Sequence, residues 1–406
     1  MFFTGIDWSD AKLDFELRTA DGRVLAQGQV PATLEGVAEM FQRLETQAPA
    51  DQIAVGIEAT HAAWVQALLD RGYCVYPLNP KAVERFRESL SVAGHKSDKI
   101  DCKVIALFLV SFHAHLRPLH PDAPEIIALR IACEDRVRLV EEHTAKINEL
   151  QAVLKAYYPA FLGFFGGLDS DIALQFVREF PTQNQMRGLT GRKLRGWLKR
   201  HGYGHPSRIA EMEDMLTRPV LPVPEHLQYA KAARVQYLAG SLLALNAEIA
   251  EREKRITRKF NELPEAQWCR SLPGTGATLG PAILAVVGRD PNRFESVEGA
   301  RALTETAPVT KQSGRSRVVF FRRGCWKFAR RTMHLFAQES RLHCAWADEF
   351  YQKQKATGHK HHAAVRAPAH KWLKIILAMK RTGRPYDENV FLNSRTRYAG
   401  NAVVVS

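Results

Sequence analysis

The chain has 406 residues, 46% of them hydrophobic, which is too long for one ordinary core and sets an expectation of two or three globular domains. Fifty-seven Lys and Arg stand against 43 Asp and Glu, a formal net charge of +14, and such an excess points to a polyanionic partner, nucleic acid first. No stretch approaches the roughly 20 apolar residues of a membrane span, and MFFTGIDWSD meets an aspartate before a signal-peptide core can form, so a cytosolic protein is expected. The six cysteines (Cys74, Cys102, Cys133, Cys269, Cys325, Cys344) form no CxxC pair, which argues against a disulfide framework and a structural zinc site and for reduced, structural thiols.

Residues 2–30 read as three short strands, FFTGIDW, KLDFELRT and RVLAQGQV, with SDA and ADG at the corners. An amphipathic helix over about 34–44 follows, then a buried run QIAVGIEA, a helix over about 62–71, a strand YCVYPL, and helices near 80–91 and 97–112. An antiparallel meander followed by alternating strand and helix predicts an α/β layered domain with a mixed sheet, closing near RPLHPDAP. Two long amphipathic stretches, 126–158 and 226–262, predict an antiparallel helical hairpin or coiled coil. Between them, at about 160–222, lies a basic insert whose run RGLTGRKLRGWLKRHGYGHPSR holds no acid, with Trp197 and Tyr203 interleaved. The last third carries LPGTGATLGPAILAVVG and two further acid-free basic stretches, around KQSGRSRVVFFRRGCWKFARR and over 350–386. The expected domains are 1–122, 123–265 and 266–390, with a tail over 391–406.

Asp7 closes the first strand in GIDWS and Glu58 follows a later one in GIEAT, and strand ends of such sheets are where ligands gather. In HKSDKIDCKVIA, Asp98 and Asp101 stand one turn apart on a helix, so each raises the cost of ionising the other unless a cation is near. The neighbouring Lys96, Lys99 and Lys103 could supply that charge. Taken with Asp7 and Glu58, however, the pair completes four carboxylates, a set of hard oxygen donors suited to one or two Mg²⁺ ions. Such a site polarises a phosphodiester and stabilises its attacking and leaving oxygens. The lysines beside it then become candidates for holding a phosphate. Asp10, Asp14 and Glu16 compete for the same role, but Asp14 and Glu16 lie inside the second strand and are expected to point to solvent.

In APVTKQSGRSR, Ser313 precedes a glycine that permits a tight turn and is flanked by Lys311, Arg315 and Arg317. It is either a phosphate-binding hydroxyl or a nucleophile whose developing charge the guanidinium groups would stabilise, with Ser316 and Thr310 as rivals. LPGTGATLGPAIL resembles a helix-hairpin-helix turn, whose glycines let backbone N–H groups approach a phosphate, and it lacks the Lys-Ser/Thr pair of a P-loop. His359, His361 and His362 in GHKHH are expected to be solvated. Phe320, Phe321, Trp326 and Phe328 are expected in a core, and the cations among them, Arg322, Arg323 and Lys327, on a nucleic-acid backbone. Arg192, Lys193 and Arg195 are the corresponding candidates in the insert.

Taken in order, these motifs resemble the DEDD-type transposases of the insertion-sequence-110 group, which includes the Piv-type DNA invertases and the bridge-RNA-guided recombinases. GIDWSDAKLDFEL, GIEAT and HKSDKIDCKVIA resemble the three blocks of its N-terminal RNase H-like (RuvC-like) domain. LPGTGATLGPAILAVVG, APVTKQSGRSR with RRG, and AHKWLKIILAMKRTGRPYD resemble its C-terminal transposase domain. The resemblance implies a metal-binding tetrad at Asp7, Glu58, Asp98 and Asp101 and a catalytic serine at Ser313 that forms a covalent phosphoserine with DNA. It further implies Mg²⁺, a site composed between protomers, dimers pairing into tetramers, and targeting by a structured non-coding RNA. The basic insert is longer than the family leads one to expect. The competing readings are a metal-dependent junction resolvase in which water attacks and Ser313 only binds phosphate, and a non-catalytic nucleic-acid-binding protein.

Overall fold

In the computed structural model the chain divides into two compact units, Met1–Pro121 and Asp122–Ser406. The structure describes residues 1–58, 62–90, 98–119, 122–290, 293–294, 296–304, 309–313, 316–320, 325–390 and 392–393, with backbone only at 62–63, 98–100, 309–313 and 316–320.

The first thirty residues form strands β1 (Phe2–Trp8), β2 (Lys12–Arg18), whose residues alternate polar and apolar, and β3 (Val24–Pro31). These pair antiparallel in succession, while β4 (Ile53–Ile57) and β5 (Cys74–Pro77) add parallel on the other side of β1. The sheet order is therefore β3-β2-β1-β4-β5, a mixed five-stranded sheet consistent with an RNase H-like domain. Helices α1 (Leu34–Glu45), capped by the Thr33 side chain, and α2 (Ala62–Asp70) join the sheet face carrying Ile6, Leu13, Phe15, Leu17, Val55 and Ile57. Helices α3 (Pro80–Leu90) and α4 (Asp98–Phe112) join the opposite face, where Phe3, Ala54, Tyr76, Val104, Ile105 and Leu109 make a second layer.

The approach of α4 to the sheet depends on two glycines that are register partners across β1 and β4, Gly5 and Gly56. A Cβ on Gly5 would lie 2.6 Å from the Ala106 backbone nitrogen and closer still to the Cys102 carbonyl oxygen. One on Gly56 would lie 2.7 Å from Ile105 Cγ2. The two bare positions form a saddle in which the helix backbone rests directly on the strands.

Among the described residues the second unit is helical apart from one hairpin. Helices α5 (Pro124–Tyr157) and α10 (Glu225–Asn261) run antiparallel, stitched by Arg136–Glu253 and Glu149–Arg234 ion pairs near their two ends. Each end of this pair carries its own core. At one end the insert forms α6 (Asp171–Glu179), α7 (Gln183–Arg187), α8 (Gly191–Arg200) and α9 (Pro206–Thr217) around Tyr157, Tyr158, Phe161, Phe164, Phe176 and Trp197. The insert is thus a folded, aromatic-rich cap. Its basic run supplies one wall of that core, because Leu194, Trp197 and Leu198 share the inner face of α8.

At the other end, α11 (Ala266–Arg270), α12 (Gly276–Val287), α13 (Val297–Leu303), α14 (Lys327–Ser340), α15 (Ala345–Ala356) and α16 (His361–Thr382) pack with the ends of α5 and α10 around Phe336, Trp346, Trp372 and Ile283. Phe328 is buried in that core and Trp326 packs against it, whereas the side chains of Phe320 and Phe321 lie outside the described residues. Strands β6 (Val309–Ser313) and β7 (Ser316–Phe320) form an antiparallel hairpin. Among the described residues no helix is long and apolar enough to cross a membrane.

Asp122, in the RPLHPDAP segment where the first domain is expected to close, is buried at the C-terminal end of α12. Its carboxylate accepts from the Arg289 backbone N–H at 2.9 Å and faces the guanidinium groups of Arg130 (3.4 Å) and Arg293 (3.6 Å). Lys380 Nζ donates to the Val287 carbonyl at 2.7 Å and also to that of Asp290, which satisfies carbonyls the helix end leaves open. Burial pulls the Arg293 guanidinium down to about 10 and the Lys380 ammonium down to about 8. One acid thus organises several cations at the place where the second unit begins.

Candidate active site

Asp7 is the penultimate residue of β1 and lies two positions beyond Gly5, so the pleat puts both on the α4 face of the sheet. Glu58 stands two positions beyond Gly56, immediately after β4, and is exposed. Because Gly5 and Gly56 are register partners in parallel strands, the two acids leave adjacent strand ends side by side. Helix α4 begins at Asp98 and rests on the same two glycines through Cys102, Ile105 and Ala106, so its first turn, with Asp98 and Asp101, lies at those strand ends. The sequence spacing G-x-acid on two strands and the closeness of α4 to the sheet are one device. The Asp98 side chain lies outside the described residues, as do Lys96 altogether and the Lys99 side chain. Among the described residues no three His, Cys, Asp or Glu side chains converge tightly enough to enclose an ion.

Among the described residues the cation paired with Asp101 comes from another helix. Arg87 on α3 donates from Nη1 to Asp101 Oδ1 at 2.7 Å, and Lys103 is exposed. α3 is fixed for this contact by Phe86, which meets Phe108 and Phe112 of α4 edge-on at 5.5 and 5.7 Å. Sequence reasoning missed Arg87 because the contact joins two helices separated in the chain. Its only local signal is an arginine late in α3, next to an aromatic residue.

Asp14 and Glu16 do not point to solvent. They are 3% and 5% exposed, on the α4 face of β2, where Asp14 is the register partner of Asp7 and Glu16 that of Gly5. The polar positions of β2 suggested a wet face, but α4 covers it, and partners make the burial tolerable. Gln29 Nε2 donates to Asp14 Oδ1 at 2.9 Å with Lys12 Nζ at 3.6 Å, and Arg18 pairs with Glu16. Cys102 of α4 packs into this acidic strip. Burial, then the charges of Glu16, Asp14 and Asp7, push its thiol up to about 12, so it stays neutral.

In the second unit Ser313 is the last residue of β6 and pairs with Ser316 at the start of β7. Lys311 and Arg317 lie on those strands, and the side chains of all four are outside the described residues, as are Arg315, Arg322 and Arg323 entirely. Lys327 opens α14 and is exposed. The tetrad positions and Ser313 therefore belong to different compact units.

The LPGTG turn joins α11 to α12. Gly274 adopts φ +73°, and a Cβ there would meet His343 Cδ2 at 2.8 Å, so this glycine is demanded by both backbone and packing. Thr275 is buried and donates its hydroxyl to the Leu272 carbonyl at 3.0 Å. Of the GHKHH histidines, His361 Nδ1 hydrogen-bonds the Tyr351 hydroxyl at 2.9 Å, and His362 Nδ1 lies 3.2 Å from His334 Nε2 of α14. Those two rings tie the start of α16 to α15 and α14, and all three histidines remain exposed, as expected.

On α8, capped by Thr190, the residues Arg192, Lys193 and Arg195 are exposed, with Lys199 and Arg200 a turn or two further along. Arg195 pairs with Glu213 of α9 at 2.8 Å. Trp197 is 1% exposed, donates to Glu179 at 2.6 Å and stacks on His201, so it has no open face for a base. The outer face of α8 offers charge without aromatic platforms, which suits backbone phosphates.

Comparison with known proteins bears on this geometry. The family model described as "Transposase", of the DEDD IS110 type, matches residues 4–159, and the model described as "Transposase IS116/IS110/IS902 family" matches residues 266–352. The "Mini-circle putative transposase for IS117" of Streptomyces coelicolor is 27% identical over 95% of this chain and 95% of its own length. The "Insertion element IS116 uncharacterized 44.8 kDa protein" of Streptomyces clavuligerus is 26% identical over 90% and 91%. The "Insertion element IS900 uncharacterized 42 kDa protein" of Mycobacterium paratuberculosis is 25% identical over 95% and 96%.

Proposed function

Because the chain belongs to the IS110 family of DEDD transposases and is therefore a DNA transposase or recombinase, we propose that it exchanges DNA strands through Ser313 with the help of the carboxylates Asp7, Glu58, Asp98 and Asp101. The observation that carries this reading is the Gly5–Gly56 saddle, which seats the first turn of α4 against the strand ends of Asp7 and Glu58. Those residues are hard oxygen donors, and they fit a divalent cation such as Mg²⁺ better than a soft one. When bound, that cation would polarise the phosphodiester and stabilise charge on its oxygens.

The chain's own residues do the rest. The Ser313 hydroxyl loses its proton as an Oγ–P bond forms, one bridging P–O bond of the DNA breaks, and the departing strand keeps a free hydroxyl after taking up a proton. Attack of a second strand's hydroxyl on the phosphoserine reverses these bonds and releases Ser313, so exchange needs no outside energy source. Lys311, Arg315, Arg317, Arg322, Arg323 and Lys327 hold phosphates around the serine, and Lys96 and Lys99 do so beside the carboxylates. As the family resemblance implies, the working site is composed between protomers, within a dimer that pairs into a tetramer. A structured non-coding RNA supplies the targeting, as the family resemblance implies. The +14 charge and the outer face of α8 accommodate that RNA without choosing its sequence.

A suicide DNA substrate tests the nucleophile. Wild-type protein is expected to become covalently attached to the cut strand, and Ser313→Ala to lose the adduct while still binding DNA. An adduct that persists in Ser313→Ala, or cleavage without any adduct, replaces this reading with a nuclease in which water attacks.

A further inference from the structure

We propose that Arg87 couples the carboxylate site to its nucleic acid: it holds Asp101 while the site is empty of metal, then releases Asp101 to a divalent cation and takes a substrate phosphate oxygen instead. The inference rests on the reading of Asp101 as a metal-binding carboxylate.

Three observations support it. Arg87 Nη1 lies 2.7 Å from Asp101 Oδ1, so the guanidinium occupies an oxygen that a cation would claim. The two side chains are 24% and 21% exposed, so the pair sits at the surface of the unit, where a guanidinium can turn to a new partner without crossing a core. The backbone under it does not need to move, because Val83 is buried and the adjacent Phe86 locks α3 to α4.

Charge then dictates the order of events. Two acids one turn apart on α4, beside Asp7 and Glu58 and above the buried Asp14 and Glu16, make an electronegative corner that a single guanidinium relieves. A divalent ion arriving there repels Arg87, even when it uses the other Asp101 oxygen, since the two charges would be only about 5 Å apart. A phosphate offers Arg87 a better partner, because the planar fork matches two phosphate oxygens and a phosphate carries charge the metal attracts as well. Metal and nucleic acid should therefore strengthen each other's binding, reciprocally, with Arg87 as the shared element. A gate of this kind keeps a DNA-cutting site weakly metallated until a substrate lies across it.

The experiment counts free Mn²⁺ by electron paramagnetic resonance in titrations of the full-length chain, with and without a DNA duplex. Without DNA, Arg87→Ala is expected to bind Mn²⁺ about fivefold more tightly than wild type, the worth of a partly exposed ion pair. Adding DNA should tighten Mn²⁺ binding severalfold in wild type and leave Arg87→Ala nearly unchanged. Arg87→Gln, which keeps an amide donor to Asp101 but loses the charge, should behave as Arg87→Ala and serves if the alanine variant does not fold. Equal or weaker Mn²⁺ binding by both variants without DNA, or an intact DNA-dependent gain, overturns the proposal. Asp101→Asn separates the two levels: if it binds Mn²⁺ as wild type does, the metal-carboxylate reading itself fails. If only Asp101→Asn is impaired and the Arg87 variants match wild type, the coupling role alone fails.

Discussion

Replacing Gly5 with alanine tests the saddle that positions the carboxylates. The added methyl would lie 2.6 Å from the Ala106 nitrogen and nearer to the Cys102 carbonyl, and both are backbone atoms inside a helix that cannot turn aside. Relief requires α4 to lift by about 1 Å, which opens the contacts of Val104, Ile105 and Leu109 with Phe3 and Ala54. Overpacking of this sort costs about 1–3 kcal/mol, and with a backbone obstacle the upper end, about 3 kcal/mol, is expected. For a unit of this size that lowers its unfolding midpoint by roughly 10 °C. The same displacement moves the first turn of α4 away from Asp7 and Glu58, and a misplacement of about 1 Å at reacting groups is worth on the order of 100-fold in rate. Gly28→Ala is the control, since its new methyl meets side chains only, the Arg43 guanidinium at 2.7 Å and the Phe15 ring at 3.2 Å, and is expected to cost about 1 kcal/mol. Urea and thermal melts followed by circular dichroism give the stabilities, and strand cleavage on a DNA substrate gives the rate. If Gly5→Ala melts with Gly28→Ala and cleaves at the wild-type rate, α4 is not seated as argued.

Reversing Arg192, Lys193 and Arg195 to glutamate should weaken nucleic-acid binding and reduce the slope of log affinity against log salt by about 2 to 3, one contact apiece; an unchanged slope would make the insert a spacer. Trp197→Ala should destabilise the cap around α8 by about 3–5 kcal/mol while leaving the core around Trp372 intact, read as loss of amide protection confined to 157–242 by hydrogen exchange. Half-buried His334 is pulled down to about 4, by burial first and then by His362, Arg366, His361 and Arg330. Its folded value lies below the usual 6.5, so the unfolded chain binds its proton first, and stability present above pH 6.5 is lost as pH falls toward 4. Discounted for partial exposure, about 1 kcal/mol should disappear between pH 7 and pH 5, and His334→Gln should lack that loss in urea titrations at the two pH values. Equal losses would assign the acid sensitivity elsewhere.

Much of the fold is legible in the chain because its signals are local. The local pattern places β1 to β3 within a residue of their observed bounds, and the 3.6-residue period places α5 and α10 within two. The G-x-acid motifs are legible too, since one residue type must serve two needs, a bare position for α4 and a carboxylate two steps beyond. What resisted reading is set by tertiary contact. Asp14 and Glu16 look like a solvent face until α4 is laid over them, and no periodicity in β2 reveals a covering helix. Arg87 finds Asp101 on a different helix, and Asp122 meets Arg130, Arg293 and the Arg289 backbone from distant parts of the chain. In the insert, charge masked structure: the cations of α8 are conspicuous, whereas the aromatic core behind them is scattered over 157–203.

The α5–α10 pair is a strut of about 50 Å, the length of some 34 helical residues, with one end buried in each of the two cores. A strut of helices has a phase as well as a length. Removing one residue from each helix turns everything beyond it by about 100°, whereas removing seven shortens it by about 10 Å and restores the facing to within about 20°. Relatives with a different reach are therefore expected to differ by sevens in both helices together, and a chimaera that exchanges the cap should be joined in phase. The reach of the basic cap is adjustable in steps, and the step is a heptad.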